Sequence, residues 1–263
     1  MGKKDKNDKF YTKESIAKLC INLIDFKLYN TVIEPSAGSG SFSKNIQHNN
    51  LISLDLIPEH KSITQQDWFD FEKKDYGEIL VITNPPFGVR NSLSKKFIRK
   101  ALTLNPKTIA FILPDVYNKH TMQRVFPKQY RLTHIEKLPK DSFILNGVDY
   151  DIPCSFFIWD KSKGEDLRFD VNKYKTNDFV FVSKHLVDDS CFFILGASPS
   201  TVIEISSVTK NNRGYYIKPN IKSKDYLIKK FKMIKFKGYS SVSGKVQWLT
   251  KVEIIKNYIG DDK

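Results

Sequence analysis

The sequence predicts an α/β fold: a mostly parallel sheet with helices on both faces, followed by a small β-rich C-terminal extension. Over about the first 160 residues, short apolar runs alternate with helical stretches, the pattern of strand–helix units. Past a polar break at Asp160–Asp166, short apolar runs follow one another with little helix between them. A chain of 263 residues has room for one large domain and a smaller appendage.

Residues 1–9 are polar and charged, and are expected to form a flexible tail. Ile16, Leu19, Cys20, Leu23 and Ile24 then recur at three- and four-residue steps, which predicts a helix with Thr12 as its cap. Strands are predicted at Thr31–Ile33, Leu51–Leu54, Ile79–Thr83, Thr108–Leu113, Leu132–Leu138 and Cys154–Trp159. Helices are predicted at Ser41–Gln47 and Ser92–Leu102. These elements make a first domain of residues 10–160, leaving 161–263 as the extension. Within the extension, strands are expected at Phe179–Val182, Cys191–Leu195, Val202–Ile205 and Tyr215–Ile217, and helices at Lys224–Met233 and Thr250–Tyr258.

Forty-three Lys and Arg against twenty-nine Asp and Glu leave a formal charge of +14, which favours a polyanionic partner such as nucleic acid. Lys-rich composition alone is the bland alternative. Cys20, Cys154 and Cys191 are too few and scattered for a disulfide framework, and no His stands at ligand spacing from a Cys or another His, so no metal site is expected. The basic start lacks an apolar core, Lys6 breaks the myristoylation pattern, and no apolar run approaches membrane-spanning length. The expectation is a soluble intracellular protein, cytoplasmic or nuclear, with no membrane partner.

The segment from Val32 to Phe42 runs from an apolar strand through Glu34, Pro35 and small residues into a helical stretch. Gly38 and Gly40 allow a tight turn and close ligand approach. The dinucleotide fingerprint is incomplete, with Ser43 where its third glycine would stand, and the phosphate-loop Gly-Lys is missing. Asp55, about 20 residues on at the end of the second strand, is placed to accept ribose hydroxyls. Asp67 offers a carboxylate for an adenine amino group, and Trp68 an aromatic wall. Taken singly, Asp67 reads as a loop cap and Trp68 as a core aromatic; their order and spacing favour a ligand site.

The strand Ile79–Thr83 ends in Asn84-Pro85-Pro86-Phe87-Gly88. Two prolines remove two N–H donors and stiffen the backbone, so nearby carbonyls face outward as acceptors. The Asn84 side-chain oxygen and the Pro85 carbonyl could together accept both hydrogens of a planar amino group, with Phe87 as a flat apolar plate. An aromatic amine is a poor nucleophile because its lone pair is delocalised. Accepting both hydrogens favours a pyramidal nitrogen aimed at a methyl sulfonium, so positioning and electrostatics carry the reaction.

The succession Phe10-Tyr11-Thr12, Glu34 to Gly40, Asp55, Asp67-Trp68 and Asn84 to Phe87 resembles the amino-group methyltransferases acting on adenine N6, in the order that puts cofactor motifs before the catalytic loop. The resemblance spans roughly residues 9–160. It implies a Rossmann-like seven-stranded methyltransferase sheet whose final antiparallel strand is Cys154–Trp159, with S-adenosyl-L-methionine as cofactor and DNA as partner. By the same resemblance, Tyr11 and Thr12 border the methionine moiety and Glu34 and Gly38 the turn beneath it. Asp55 holds the ribose, Ile57 packs on the cofactor adenine and Asp67 binds its amino group, while Asn84, Pro85 and Phe87 take the target base. The stretch Gly88–Ile98 is similar to solitary enzymes of phages and large DNA viruses. Restriction-type enzymes of this order carry a large separate recognition domain; only about 100 residues remain here, which implies a short recognition site or none.

From Ile221 to Tyr239 lysines interleave with aromatics. The lysines could neutralise phosphates while Tyr226 or Tyr239 stacks on a base, or the segment is an amphipathic helix with Leu227, Ile228 and Phe231 inward. Asn212-Arg213-Gly214 and Ser240–Gly244 are polar loops able to reach nucleic acid. Three alternatives stay open beside adenine methylation in DNA: the same chemistry on structured RNA, methylation of a protein glutamine amide, and a catalytically inactive nucleic-acid-binding subunit.

Overall fold

The computed structural model describes residues 10–72, 75–162, 164–239 and 248–260. The proposed tail at 1–9 and the loop at Ser240–Gly244 lie outside them. The chain divides into two compact units, one running to Phe169 and the other starting at Asp170.

The first unit contains β1 (Tyr11–Thr12), α1 (Glu14–Ile21), β2 (Thr31–Glu34), β3 (Leu51–Asp55), β4 (Thr64–Gln65), β5 (Ile79–Thr83), α2 (Ser92–Thr103), β6 (Thr108–Pro114) and α3 (His120–Gln123). It closes with β7 (Arg131–Lys137), a hairpin of β8 (Phe143–Leu145) and β9 (Val148–Tyr150), and β10 (Cys154–Asp160). Seven strands form one sheet in the order β4-β3-β2-β5-β6-β10-β7. The pairings from β4 through β6 are parallel, and β10 runs antiparallel to both β6 and β7. This is the Rossmann-like seven-stranded sheet expected from the sequence, with Cys154–Asp160 as its reversed strand.

Its two faces are apolar because the strand residues alternate between two cores. Ile79, Val81, Ile109, Phe111, Phe157 and Trp159 point to one face and meet Phe97, Ile98 and Ala101 of α2. Leu80, Ile82, Ala110, Ile112, Phe156 and Ile158 point to the other and meet Ile16, Ala17 and Cys20 of α1. Burial on both faces is why these strands read as continuous apolar runs instead of alternating ones.

The structure corrects several local expectations. Thr12 does not cap α1: it ends β1, and Lys13 is the cap residue with no side-chain bond. Ser41–Gln47 is a series of turns, held by Lys44 N–H to Gly40 O at 3.0 Å and Ile46 N–H to Phe42 O at 3.0 Å, and not a regular helix. β1 and the 143–150 hairpin escaped the sequence because each strand is only two or three residues long. They make a small separate sheet, with Tyr11 opposite Ile144 and Phe143 opposite Tyr150. The first unit also continues past the polar break: Asp166 Oδ1 accepts Leu132 N–H at 3.1 Å and Arg168 Nη1 donates to Phe126 O at 3.1 Å.

The second unit contains β11 (Phe179–Val182), β12 (Phe192–Leu195), β13 (Val202–Ile203), β14 (Gly214–Pro219), α4 (Lys224–Met233) and α5 (Lys251–Ile259). Its antiparallel sheet has the order β11-β14-β12-β13. Phe179, Phe192, Ile194 and Ile217 pack against Leu227 and Phe231 of α4 and Ile254 and Tyr258 of α5. The amphipathic alternative for Lys224–Met233 is thus correct for its inner face, while Tyr226 stays exposed with Lys222 Nζ 5.5 Å from its ring centre. Gly214, expected in a loop, begins β14 opposite Leu195.

Candidate cofactor and catalytic site

At the C-terminal ends of β2, β3 and β5 the chain surrounds a cavity of about 290 Å³. Open α/β sheets bind ligands at this end, where strand order reverses. Tyr11, Thr12, Glu34, Gly38, Asp55, Ile57, Asp67, Trp68, Asn84, Pro85 and Phe87 all line it; Gly40 does not. Gly40 instead bends the chain away, at φ +87°.

The turn after β2 is fastened from below. Gly38 N–H donates to Asp55 Oδ2 at 2.7 Å and Ala37 N–H to Leu54 O at 2.9 Å. Gly38 has φ +52°, and a Cβ there would stand 3.3 Å from the Tyr11 ring, so both backbone and space call for glycine. Tyr11 reaches over this turn to hydrogen-bond Glu59. Asp55 Oδ1 accepts Ile57 N–H at 2.8 Å, so the carboxylate proposed for a ribose also ties two loops together.

Glu34 is wholly buried, and its Oε2 has no hydrogen-bond partner. Burial pushes its carboxyl up to about 8, reinforced by nearby Asp55, with Ser43 and Ser53 pulling the other way. Asp67 is a cap, as its plainer reading held: Oδ1 accepts Phe69 N–H at 2.8 Å. Trp68 is a core aromatic, 2% exposed, stacked on Phe71 with its Nε1–H directed to Phe97 O at 3.4 Å. The exposed apolar surface beside the carboxylates comes from Ile57, 49% exposed, and from Phe69, which the sequence did not single out.

The Asn84–Phe87 loop leaves β5 and is held at its far end by α2, whose Leu93 and Ser94 N–H groups donate to Phe87 O at 3.1 and 3.3 Å. Asn84 Nδ2 donates to Phe10 O at 3.1 Å and to Thr12 Oγ1 at 3.0 Å. Both its hydrogens are engaged, and Oδ1 is left buried with no partner. Among the described residues no hydrogen bond ends on the Pro85 carbonyl. Asn84 Oδ1 and the Pro85 carbonyl are therefore both uncommitted. Phe87 is 2% exposed, and the Phe10 ring lies over it at 6.2 Å and 24°, with Tyr150 beyond Phe10 at 5.4 Å. Phe10 and Thr12 thus meet the Asn84–Phe87 loop, a placement the sequence missed because it depends on the small β1–β8–β9 sheet.

The model of the EDM2 methyltransferase-like domain matches residues 14–152, more than half of the chain. The chain belongs to this family. The chain is 26% identical over 202 residues to Protein ENHANCED DOWNY MILDEW 2 of Arabidopsis thaliana. That alignment covers 73% of the chain and 14% of the relative, so the chain spans a small part of that protein's length. Two solved structures resemble the chain at low identity. One, from a type I restriction–modification system, is 14% identical with TM-score 0.43, over 57% of this chain and 42% of that one. The other, the 23S rRNA methyltransferase ErmE, is 13% identical with TM-score 0.43, over 63% and 75%.

Among the described residues, no group of three or more His, Cys, Asp or Glu side chains converges to hold a metal ion. Nor is any helix long and apolar enough to cross a membrane.

Proposed function

We propose that this chain transfers a methyl group from S-adenosyl-L-methionine to the N6 amino group of adenine in DNA. The observation that carries this reading is Asn84, whose amide is held by both hydrogens so that Oδ1 stays buried and unpaired beside the free Pro85 carbonyl. A buried acceptor without a donor is costly, and it suits a site completed by a ligand's N–H.

The cavity fits the cofactor by donor chemistry. Its carboxylates Asp55 and Asp67 suit a ligand rich in hydroxyl and amino donors, and the neutral Glu34 carboxyl adds an unpaired oxygen, Oε2. Asp55 would take ribose hydroxyls on the lone pairs its loop bonds leave free, Asp67 the adenine amino group, and Ile57 and Phe69 the ring faces. When bound, the cofactor supplies an electrophilic methyl on a sulfonium, which leaves as a neutral thioether. Asn84 Oδ1 and Pro85 O accept the two amino hydrogens, turn the nitrogen lone pair out of the base's π system and aim it in line. Methyl transfer would leave a surplus proton on that nitrogen, which would pass to water. Phe87 offers its face to the base, which requires the Phe10 ring to yield that space. In duplex DNA the base must also leave the stack.

The net charge of +14 supports a nucleic-acid substrate over a protein amide, and DNA is chosen on the resemblance of the motif order. The test is mass spectrometry of nucleosides from DNA and RNA after incubation with isotopically labelled cofactor. Labelled N6-methyladenine is expected from DNA, and Asn84→Ala should abolish it while cofactor binding persists in calorimetry. Label appearing only in RNA, or full transfer by Asn84→Ala, refutes the proposal.

A further inference from the structure

Immediately after the catalytic loop the backbone takes an unusual course. Gly88, Arg90 and Asn91 all have positive φ, at +67°, +53° and +60°. Asn tolerates that region, and glycine is required at 88 because a Cβ would stand 2.8 Å from Leu93 Cβ. Arg90 has neither excuse.

The turn is locked from beneath. Asn91 N–H donates to Gly88 O at 3.2 Å, Ser94 Oγ to Asn91 O at 3.2 Å, and Ser94 Oγ shares a 2.8 Å hydrogen bond with the buried Tyr117 hydroxyl. Val89 is 80% exposed, and Arg90, the next residue, is exposed too. Burial cannot be why an apolar side chain is held there. Val89 follows Phe87 by two residues, which places the two Cα atoms within about 7 Å of each other.

We infer that Val89 is a wedge that enters a duplex at the place the target adenine vacates, with Arg90 on an adjacent phosphate. A nucleotide swung onto Phe87 leaves a gap one base deep in the stack. A rigid apolar side chain a short step from the plate is placed to fill it, and inserted apolar side chains stabilise unstacked steps in this way. A guanidinium beside the wedge neutralises backbone charge and sets register without reading sequence. The inference rests on the function proposed above, yet it concerns duplex opening and not methyl transfer.

The experiment uses the full chain with two probes. A DNA duplex carrying 2-aminopurine between randomised flanks reports unstacking by fluorescence, and a sequence-randomised DNA pool, as duplex or as separated strands, reports methyl transfer from labelled cofactor. Val89→Ser should lose the fluorescence rise seen with the wild type, and its duplex-to-single-strand methylation ratio should fall about ten-fold. Val89→Leu, which keeps an apolar wedge, should restore both. Because the side chain is in solvent, neither variant threatens folding. A wild-type protein that gives no fluorescence rise, or a Val89→Ser variant equal to wild type in rise and ratio, overturns the inference. A wild type that unstacks the duplex but methylates neither form overturns the proposed function and leaves the wedge standing.

Discussion

Thr12→Val separates two roles for one residue. The resemblance places Thr12 against the methionine moiety, whereas the structure gives its hydroxyl a partner, the Asn84 amide, at 3.0 Å. Valine keeps the shape of a side chain only 6% exposed and removes the acceptor. One Asn84 hydrogen is then left without its partner, while the other keeps Phe10 O at 3.1 Å. Losing one such bond costs about 1 kcal/mol, with more if the stranded N–H stays buried. If that penalty falls on the orientation of Oδ1 toward the substrate, it appears in the barrier, and kcat should drop about five- to ten-fold. KM for the cofactor should not move. The assay is steady-state methyl incorporation into DNA at saturating and limiting cofactor, with Thr12→Ser as the variant that keeps the hydroxyl and the rate. A rise in cofactor KM with kcat unchanged would refute the orienting role and restore the one the resemblance assigns.

Other expectations follow from the same geometry. Gly38→Ala places a Cβ at φ +52° and 3.3 Å from Tyr11; it should destabilise the protein by about 1–2 kcal/mol in urea unfolding and weaken cofactor binding in calorimetry. Glu34 is a carboxyl whose folded pKa, about 8, lies above its ordinary 4.5. Between those values the unfolded chain releases a proton that the folded chain keeps, so this group's contribution to stability is present at low pH and is lost as pH rises through about 8. Thermal melts of the wild type and Glu34→Gln from about pH 5 to about pH 9 should show the wild type losing ground steadily, and parallel curves would contradict the buried, protonated carboxyl. In the second unit, Phe231 is fully buried and meets Phe179, Phe192 and Tyr258. Phe231→Ala should cost about 3–5 kcal/mol of that unit's stability by denaturant titration followed by fluorescence.

Much of the first unit was legible because its signals are local. Ile79–Thr83 and Thr108–Pro114 are runs that only a strand buried on both faces tolerates, and Ser92–Thr103 carries Phe97, Ile98 and Ala101 at helical spacing. The turn at Gly38 and the Asn84–Phe87 loop announced themselves by residue types that few other backbones require. Asp55 and Asp67 could be placed because the strands between them and the glycine turn were countable. The sequence by itself therefore determined the long strands and α2 of the first unit, their order, and most of the residues that gather at the sheet's C-terminal edge.

Tertiary structure decided what those residues do to one another. A two-residue strand such as β1 has no periodicity to read, yet its pairing with β8 brings Phe10 and Thr12 to the Asn84 amide and decides which of that amide's atoms remains free. Whether Trp68 is a wall or a core residue, whether Asp67 is a ligand or a cap, and whether Val89 faces inward or outward depend on contacts between segments distant in the chain. Composition and spacing carry no such information, because burial and hydrogen-bond pairing exist only once distant segments meet.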